Sequence, residues 1–127
     1  MTYLRRMYKR KLPMHLECGL HLFMEVMNGK WKPNLIWYIH SGVKRPGELH
    51  RRLPKVSRRL LDTQLKQLAE QGIIRKTKFE QKLAKVEYEL TALGQTLIPV
   101  IEVTARWGET HREALESLFQ SPGVEQQ

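Results

Sequence analysis

The feature that most constrains the fold is a capped amphipathic helix that two short strands follow. Residues 57–72, SRRLLDTQLKQLAEQG, begin with serine, a preferred N-cap, and end with glycine, which stops helices in the left-handed conformation. Projection at 100° per residue predicts one buried stripe and one exposed face. The stripe comprises Leu60, Leu61, Leu65, Leu68 and Ala69, and the exposed face comprises Arg59, Thr63, Lys66 and Glu70.

Shorter patterns predict the elements on either side of this helix. Apolar residues at helical spacing predict a first helix from Leu16 to Met27, a second from Pro33 to Ser41 and a third from Pro46 to Leu53. The segments IIRKTKF and VEYEL predict two strands joined by the turn EQKLAK. Thr91 is predicted to cap a final helix that Pro99 kinks, and a further amphipathic segment follows Gly108.

This order of elements is that of a winged helix-turn-helix, a mainly α domain with a small β-hairpin wing. In such a domain the second helix of the pair lies in the DNA major groove, and the first crosses the phosphate backbone. We expect one domain, because 127 residues are too few for two of ordinary size. The predicted divisions are a basic N-terminal arm at residues 1–15, the winged helix-turn-helix domain with its dimerisation helices at 16–120, and a polar tail at 121–127.

Charge is distributed unevenly along the chain. The formal net charge is +9, and residues 41–86 hold thirteen basic against four acidic side chains. From residue 87 onward there are two basic and seven acidic side chains, so one part of the molecule attracts anions and the other does not. We therefore expect double-stranded DNA as the partner. No segment has the length of a membrane span or the apolar run of a signal peptide, so we expect a cytoplasmic protein without a membrane partner.

Two arginines begin the amphipathic helix, although the positive end of a helix dipole disfavours cations. DNA phosphates compensate for this cost, and arginine can form two hydrogen bonds with guanine O6 and N7. Ser57 serves as the cap at this end, and we expect it to belong to the DNA-binding surface as well. The residues predicted to read bases are Arg58, Arg59, Asp62 and Thr63, and those predicted to contact phosphates are Arg51, Arg52, Lys55, Lys66, Lys82 and Lys85.

The C-terminal helices carry more apolar surface than one small core needs. Val100 and Val103 widen the apolar surface of the helix that carries Ile101 and Trp107. A partner helix is the simplest cover for such a surface, so we expect a homodimer formed through the N- and C-terminal helices. The regulator could also respond to a small ligand that binds between the terminal helices and the DNA-binding part, and the sequence leaves this open.

Cys18 is the chain's single cysteine and cannot form an intrachain disulfide. With His15 and His21 it forms an H-x2-C-x2-H run, but residues at such spacing on a helix converge poorly on one ion, so we expect no metal. An exposed thiol here could sense oxidants. The sequence also lacks a glycine-rich phosphate loop, a zincin helix and a nucleophile elbow, so we expect neither an enzyme nor a cofactor.

Three stretches together resemble the HxlR-type winged helix-turn-helix transcriptional regulators, bacterial and archaeal relatives of the MarR-like repressors. They are CGLHLFMEVMNGKW, GELHRRLPKVSRRLLDTQLKQLAEQGIIRK and VEYELTALGQTLIPVI, within residues 16–108. The resemblance implies a dimeric DNA-binding regulator and makes Cys18 a candidate redox sensor. Pro46 and Asp62 depart from the family pattern, and an aspartate on the reading helix favours cytosine N4 over phosphate. The alternative is a winged-helix module that binds protein or RNA without operator specificity.

Overall fold

The computed structural model describes residues 18–79 and 85–120, and the fold is that of these residues. It is mainly helical with a two-stranded antiparallel hairpin, which confirms the predicted fold class. The elements in chain order are α1 (Gly19–Val26), α2 (Lys32–His40), α3 (Pro46–Arg52), α4 (Arg58–Glu70), β1 (Ile74–Phe79), β2 (Lys85–Leu90), α5 (Ala92–Gln95), α6 (Ile98–Thr110) and α7 (Arg112–Phe119). The predicted N-terminal arm and polar tail lie outside the described residues.

The prediction that the first helix begins at Leu16 is wrong. Helix α1 begins at Gly19, because Cys18 has an extended backbone and occupies the N-cap position. The two helices that follow agree with prediction to within a residue, and a proline stands in the first turn of each. Pro46 is the first residue of α3, a position where the missing N–H costs no helical hydrogen bond. The departure at Pro46 therefore leaves α3 intact.

The hydrophobic core lies between α2, α3, α4 and the hairpin. Leu35, Leu49 and Leu68 are fully buried at its centre. The other buried apolar residues are Ile36, Ile39, Val43, Leu53, Val56, Leu61, Leu65, Ile73, Ile74, Tyr88 and Ile98. One side of β2 faces this core, since Tyr88 is buried in it and Val86 and Leu90 pack against it.

The predicted buried stripe of α4 needs two corrections. Leu60 is 42% exposed, because it lies about 100° around the helix from Leu61, on the flank of the stripe. Gln64 is 5% exposed and occupies the buried position between Leu61 and Leu68 instead. A polar side chain therefore takes part in the packing of this helix, and a large apolar one remains outside.

The hairpin is held on the core by hydrogen bonds from the middle of β2 and from the residue that follows it. In register, Ile74 pairs with Leu90 and Phe79 pairs with Lys85. The Tyr88 N–H donates to the Lys44 carbonyl at 2.8 Å, so the loop before α3 also contacts β2. Directly after β2, the Thr91 N–H donates to the Ile73 carbonyl at 3.0 Å. The wing is therefore held in a fixed place relative to α4.

The C-terminal segment forms separate helices instead of one kinked helix. Thr91 caps α5 as predicted, since its hydroxyl oxygen accepts from the Gly94 N–H at 3.0 Å. The break falls at residues 96–97, and Pro99 stands in the first turn of α6. Helix α6 continues through Gly108 to Thr110, so the last helix begins after His111 and not after Gly108. None of the described helices is both long and apolar enough to cross a lipid bilayer.

Candidate nucleic-acid interface

Helix α4 is fixed at both ends and along its inner side. The Ser57 hydroxyl oxygen accepts from the Leu60 N–H at 3.1 Å, which is the predicted N-cap. At the other end, Gly72 has φ of +77°, the left-handed conformation that glycine adopts at low cost. Leu61, Leu65 and Leu68 hold the inner side in the core. The outer side therefore has a defined direction relative to the rest of the domain.

Six of the cations predicted to contact DNA are exposed on α3, α4 and the turn between them. They are Arg51, Arg52, Lys55, Arg58, Arg59 and Lys66. In the part of the chain that the structure describes, none of the six forms an ion pair with a carboxylate. Their charge is not neutralised within the protein, so this surface attracts a polyanion.

The other two predicted reading residues differ in what they can offer a base. The Thr63 hydroxyl donates to the Arg59 carbonyl at 2.8 Å, so its proton is used within the helix. Asp62 is exposed on α4. Burial raises the pKa of Tyr88, and the nearby Asp62 carboxylate raises this pKa further. The structure thus brings Asp62 close to the wing, at one side of the surface that Arg59 occupies.

The hairpin adds a second group of cations. Lys85, a predicted phosphate contact, is exposed at the start of β2, whereas Lys82 lies outside the described residues. Sequence reasoning missed the exposed Lys76 and Lys78 on β1. The density of cations in the strand segment RKTK could have identified them, because clustered positive charge attracts a polyanion. Arg75 differs from them, because it lies 3.7 Å from the Glu89 carboxylate on β2.

A buried polar cluster lies behind α4 and was not predicted. Lys32 is 1% exposed, and a Cβ atom at Gly29 would lie 3.0 Å from its Cε and 3.1 Å from Cδ of Gln64. Both side chains therefore pack over Gly29. Gln64 Oε1 and Glu25 Oε2 are buried, and neither has a hydrogen-bond partner among the described residues. These groups bring α1, the start of α2 and the inner side of α4 into one polar region.

This cluster gives an expected pH dependence of stability. Burial lowers the pKa of Lys32, while the Glu25 carboxylate opposes that shift. Between the lowered pKa and the unfolded value, the unfolded chain binds more protons, so the Lys32 contribution to the unfolding free energy increases as pH rises. We expect the wild type to gain stability relative to Lys32→Met between pH 7 and pH 10.5, measured by urea denaturation. A pH-independent difference would contradict this expectation.

Two further features lie near the ends of the described chain: Cys18 at the start of α1, and an open groove beside α1 and α6. The Cys18 thiol is free and exposed. The groove, about 820 Å³ in volume, lies between α1, α2 and α6 and is lined mainly by apolar side chains. Phe23, Trp37, Tyr38 and Ile101 are among the lining residues. His15 of the H-x2-C-x2-H run lies outside the described residues.

Comparison with known proteins agrees with this arrangement. The model of the HxlR-like helix-turn-helix family matches residues 26–116. The HTH-type transcriptional regulator YybR of Bacillus subtilis (strain 168) is 37% identical over 107 residues, which cover 84% of this chain and 85% of that protein.

Two solved structures of the redox regulator HypR have the same fold. The reduced form is 38% identical with a TM-score of 0.73, and the match covers 77% of this chain and 97% of that one. The oxidised form is 36% identical with a TM-score of 0.69, covering 73% and 96%. YybR is thus a transcriptional regulator by name, and HypR is a redox regulator by name. The chain belongs to the HxlR-like helix-turn-helix family of transcriptional regulators.

Proposed function

We propose that the protein binds a pseudo-palindromic operator as a homodimer and controls transcription in the cytoplasm. Each protomer places α4 in one major groove, and the half-sites are separated by one helical turn or a multiple of it. Repression is the expected sign, because a dimer on an operator excludes other proteins from the same duplex. The alternative function, binding of RNA or protein without operator specificity, predicts no preferred duplex sequence.

The observation that carries this proposal is the outer surface of α4. Arg59 projects from the first turn of a helix whose cap, inner side and end are all fixed. A side chain on a rigid helix loses less freedom on binding than one on a loop, which favours base readout over loose phosphate contact. The unpaired cations of α3 and the adjoining turn supply the phosphate contacts that hold such a helix in register.

The homodimer is supported by apolar side chains that the single chain leaves in water. Met24 on α1, Val103 and Trp107 on α6, and Leu118 and Phe119 on α7 are each more than half exposed. None of the residues of α7 is buried, although one side of that helix is apolar. We propose that the partner protomer covers these helices and the groove beside Trp37. A small-molecule effector in the groove is the other outcome, and it would leave the groove accessible in the dimer.

The test is selection of bound DNA from a random pool with the purified protein. We expect an inverted repeat whose spacing matches one or two helical turns, and sedimentation should give the mass of a dimer. A selected single site with a monomeric mass would contradict the dimer. Failure to enrich any sequence at physiological ionic strength would contradict operator binding and favour the alternative.

The wing lysine Lys85 gives a separate prediction. It is expected to contact a phosphate, and each phosphate contact releases about one counterion. Lys85→Ala should weaken binding to the operator and to random DNA by the same factor, and it should reduce the slope of log Kd against log salt by about one. The salt dependence of fluorescence anisotropy measures both quantities. An unchanged slope would place Lys85 away from DNA.

A second proposal concerns oxidant sensing through Cys18. Its thiol is exposed, and HypR, a described redox regulator, is among the similar structures. With one cysteine per chain, a disulfide must join two protomers or join Cys18 to a small thiol. Two thiols lose two protons and two electrons to the oxidant and form the disulfide bond; hydrogen peroxide is thereby reduced to two waters, and an organic peroxide to an alcohol and one water.

The oxidation test uses the wild type and Cys18→Ser side by side. After treatment with diamide or a peroxide, we expect the wild type to change its operator affinity and to show a dimer band or a thiol adduct under non-reducing conditions. Reducing agent should reverse both changes, and Cys18→Ser should show neither. Unchanged binding of the treated wild type would rule out sensing at this cysteine.

A further inference from the structure

Leu60, the third residue of the reading helix α4, is an apolar side chain on a basic surface. It is 42% exposed, and it is the only exposed large apolar side chain between residues 38 and 78. Its neighbours Arg58 and Arg59 are exposed cations. The hydrogen bond from its N–H to the Ser57 hydroxyl fixes the backbone at this point. An apolar side chain is therefore held at the end of α4 that, on the proposed function, enters the major groove.

Thr63 lies one turn further along and adds a second apolar group. Residues three apart are neighbours on a helix surface, so Leu60 and Thr63 are adjacent. The Thr63 hydroxyl donates to the Arg59 carbonyl at 2.8 Å, and that bond fixes the side-chain rotamer. With the hydroxyl directed towards the helix backbone, its methyl group is the part left for contact with a ligand. Leu60 and Thr63 therefore form an apolar pair beside Arg59.

We propose that the apolar pair recognises the C5-methyl group of a thymine in each half-site. In the major groove this methyl is the apolar group that distinguishes a T·A pair from the other base pairs, and aliphatic side chains contact it. Arg59 provides the complementary polar contact with a neighbouring guanine. The inference rests on the proposed function, and it adds one base to what the operator must contain.

The alternative explanation for the exposure of Leu60 is that the side chain has no role, since single exposed leucines are common on protein surfaces. Two observations favour recognition over that explanation. The fixed backbone and the helix end place Leu60 where an incoming base edge would lie. The exposed Arg58 and Arg59 beside it attract the phosphates, which would bring a duplex to this end of α4.

The experiment uses an operator selected from the random pool with the wild-type protein. Each thymine of a half-site is replaced in turn by deoxyuridine, which keeps the pairing and the O4 acceptor and lacks only the methyl group. Affinity is measured for the wild type, Leu60→Ala, Thr63→Ser and the control Leu93→Ala, an exposed leucine outside α4. Thr63→Ser retains the hydroxyl and removes only the methyl group. Equal melting temperatures establish that all four proteins fold alike.

At one thymine position we expect uracil to weaken wild-type binding about fourfold, the factor that corresponds to one buried methyl group. Leu60→Ala should lose most of the difference between the two operators, Thr63→Ser should lose a smaller part of it, and Leu93→Ala should behave as the wild type. The inference is overturned if no thymine shows an effect in the wild type, or if Leu60→Ala retains the full effect. A pool that yields no operator overturns the proposed function together with this inference.

Discussion

Gly94→Ala is expected to lower the free energy of unfolding by about 3 kcal/mol, the upper part of the usual range for overpacking. A Cβ atom at Gly94 would lie 2.1 Å from the Ile73 carbonyl oxygen, a distance that no relaxation of a side chain can relieve. The same oxygen accepts the Thr91 N–H at 3.0 Å, so a shift of this backbone would also break that hydrogen bond. Chemical denaturation of the purified variant measures the loss.

Gly47→Ala is the matched control for this substitution. Gly47 is also helical, but a Cβ atom there would meet nothing within 4 Å. Alanine is favoured over glycine within helices, so this variant should equal or exceed the wild type by up to about 1 kcal/mol. If Gly94→Ala were as stable as Gly47→Ala, this result would contradict the close approach of α5 to the Ile73 carbonyl.

Arg59→Ala is expected to lose roughly 1–3 kcal/mol of binding free energy on the selected operator, the usual value of one bidentate contact with guanine. The loss on random DNA should be much smaller, because the removed contact is with a base. Arg59 is exposed and makes no ion pair within the described residues, so the substitution leaves the fold unchanged. Competition binding with operator and random duplexes measures both losses.

Arg59→Lys separates charge from geometry at this position. Lysine keeps the positive charge but lacks the planar fork that donates two parallel hydrogen bonds. We expect the lysine variant to bind random DNA as the wild type does and to lose most of the preference for the operator. Equal losses on operator and random DNA for Arg59→Ala would make this arginine a phosphate contact instead.

The sequence alone predicted the elements whose signals are local. Ser57 and Gly72 bound α4 because capping and left-handed backbone depend on the residue itself, and the structure places both ends there. Thr91 was predicted as a cap for the same reason. The concentration of positive charge in residues 41–86 also follows directly from the sequence. The fold class follows from the order of these elements, whereas the family was suggested by the resemblance of the three quoted stretches.

The tertiary structure decided which sides of the elements the neighbours cover. The apolar Leu60 is exposed and the polar Gln64 is buried, the reverse of what their side chains suggest. Burial depends instead on how α4 is oriented relative to α2 and the hairpin. The buried Lys32 and the close approach of Gly94 to residue 73 depend likewise on segments far apart in sequence. A periodic pattern gives the phase of a helix only to within one residue position. Packing against distant segments fixes the rest, and with it the side chains that remain free to meet a base.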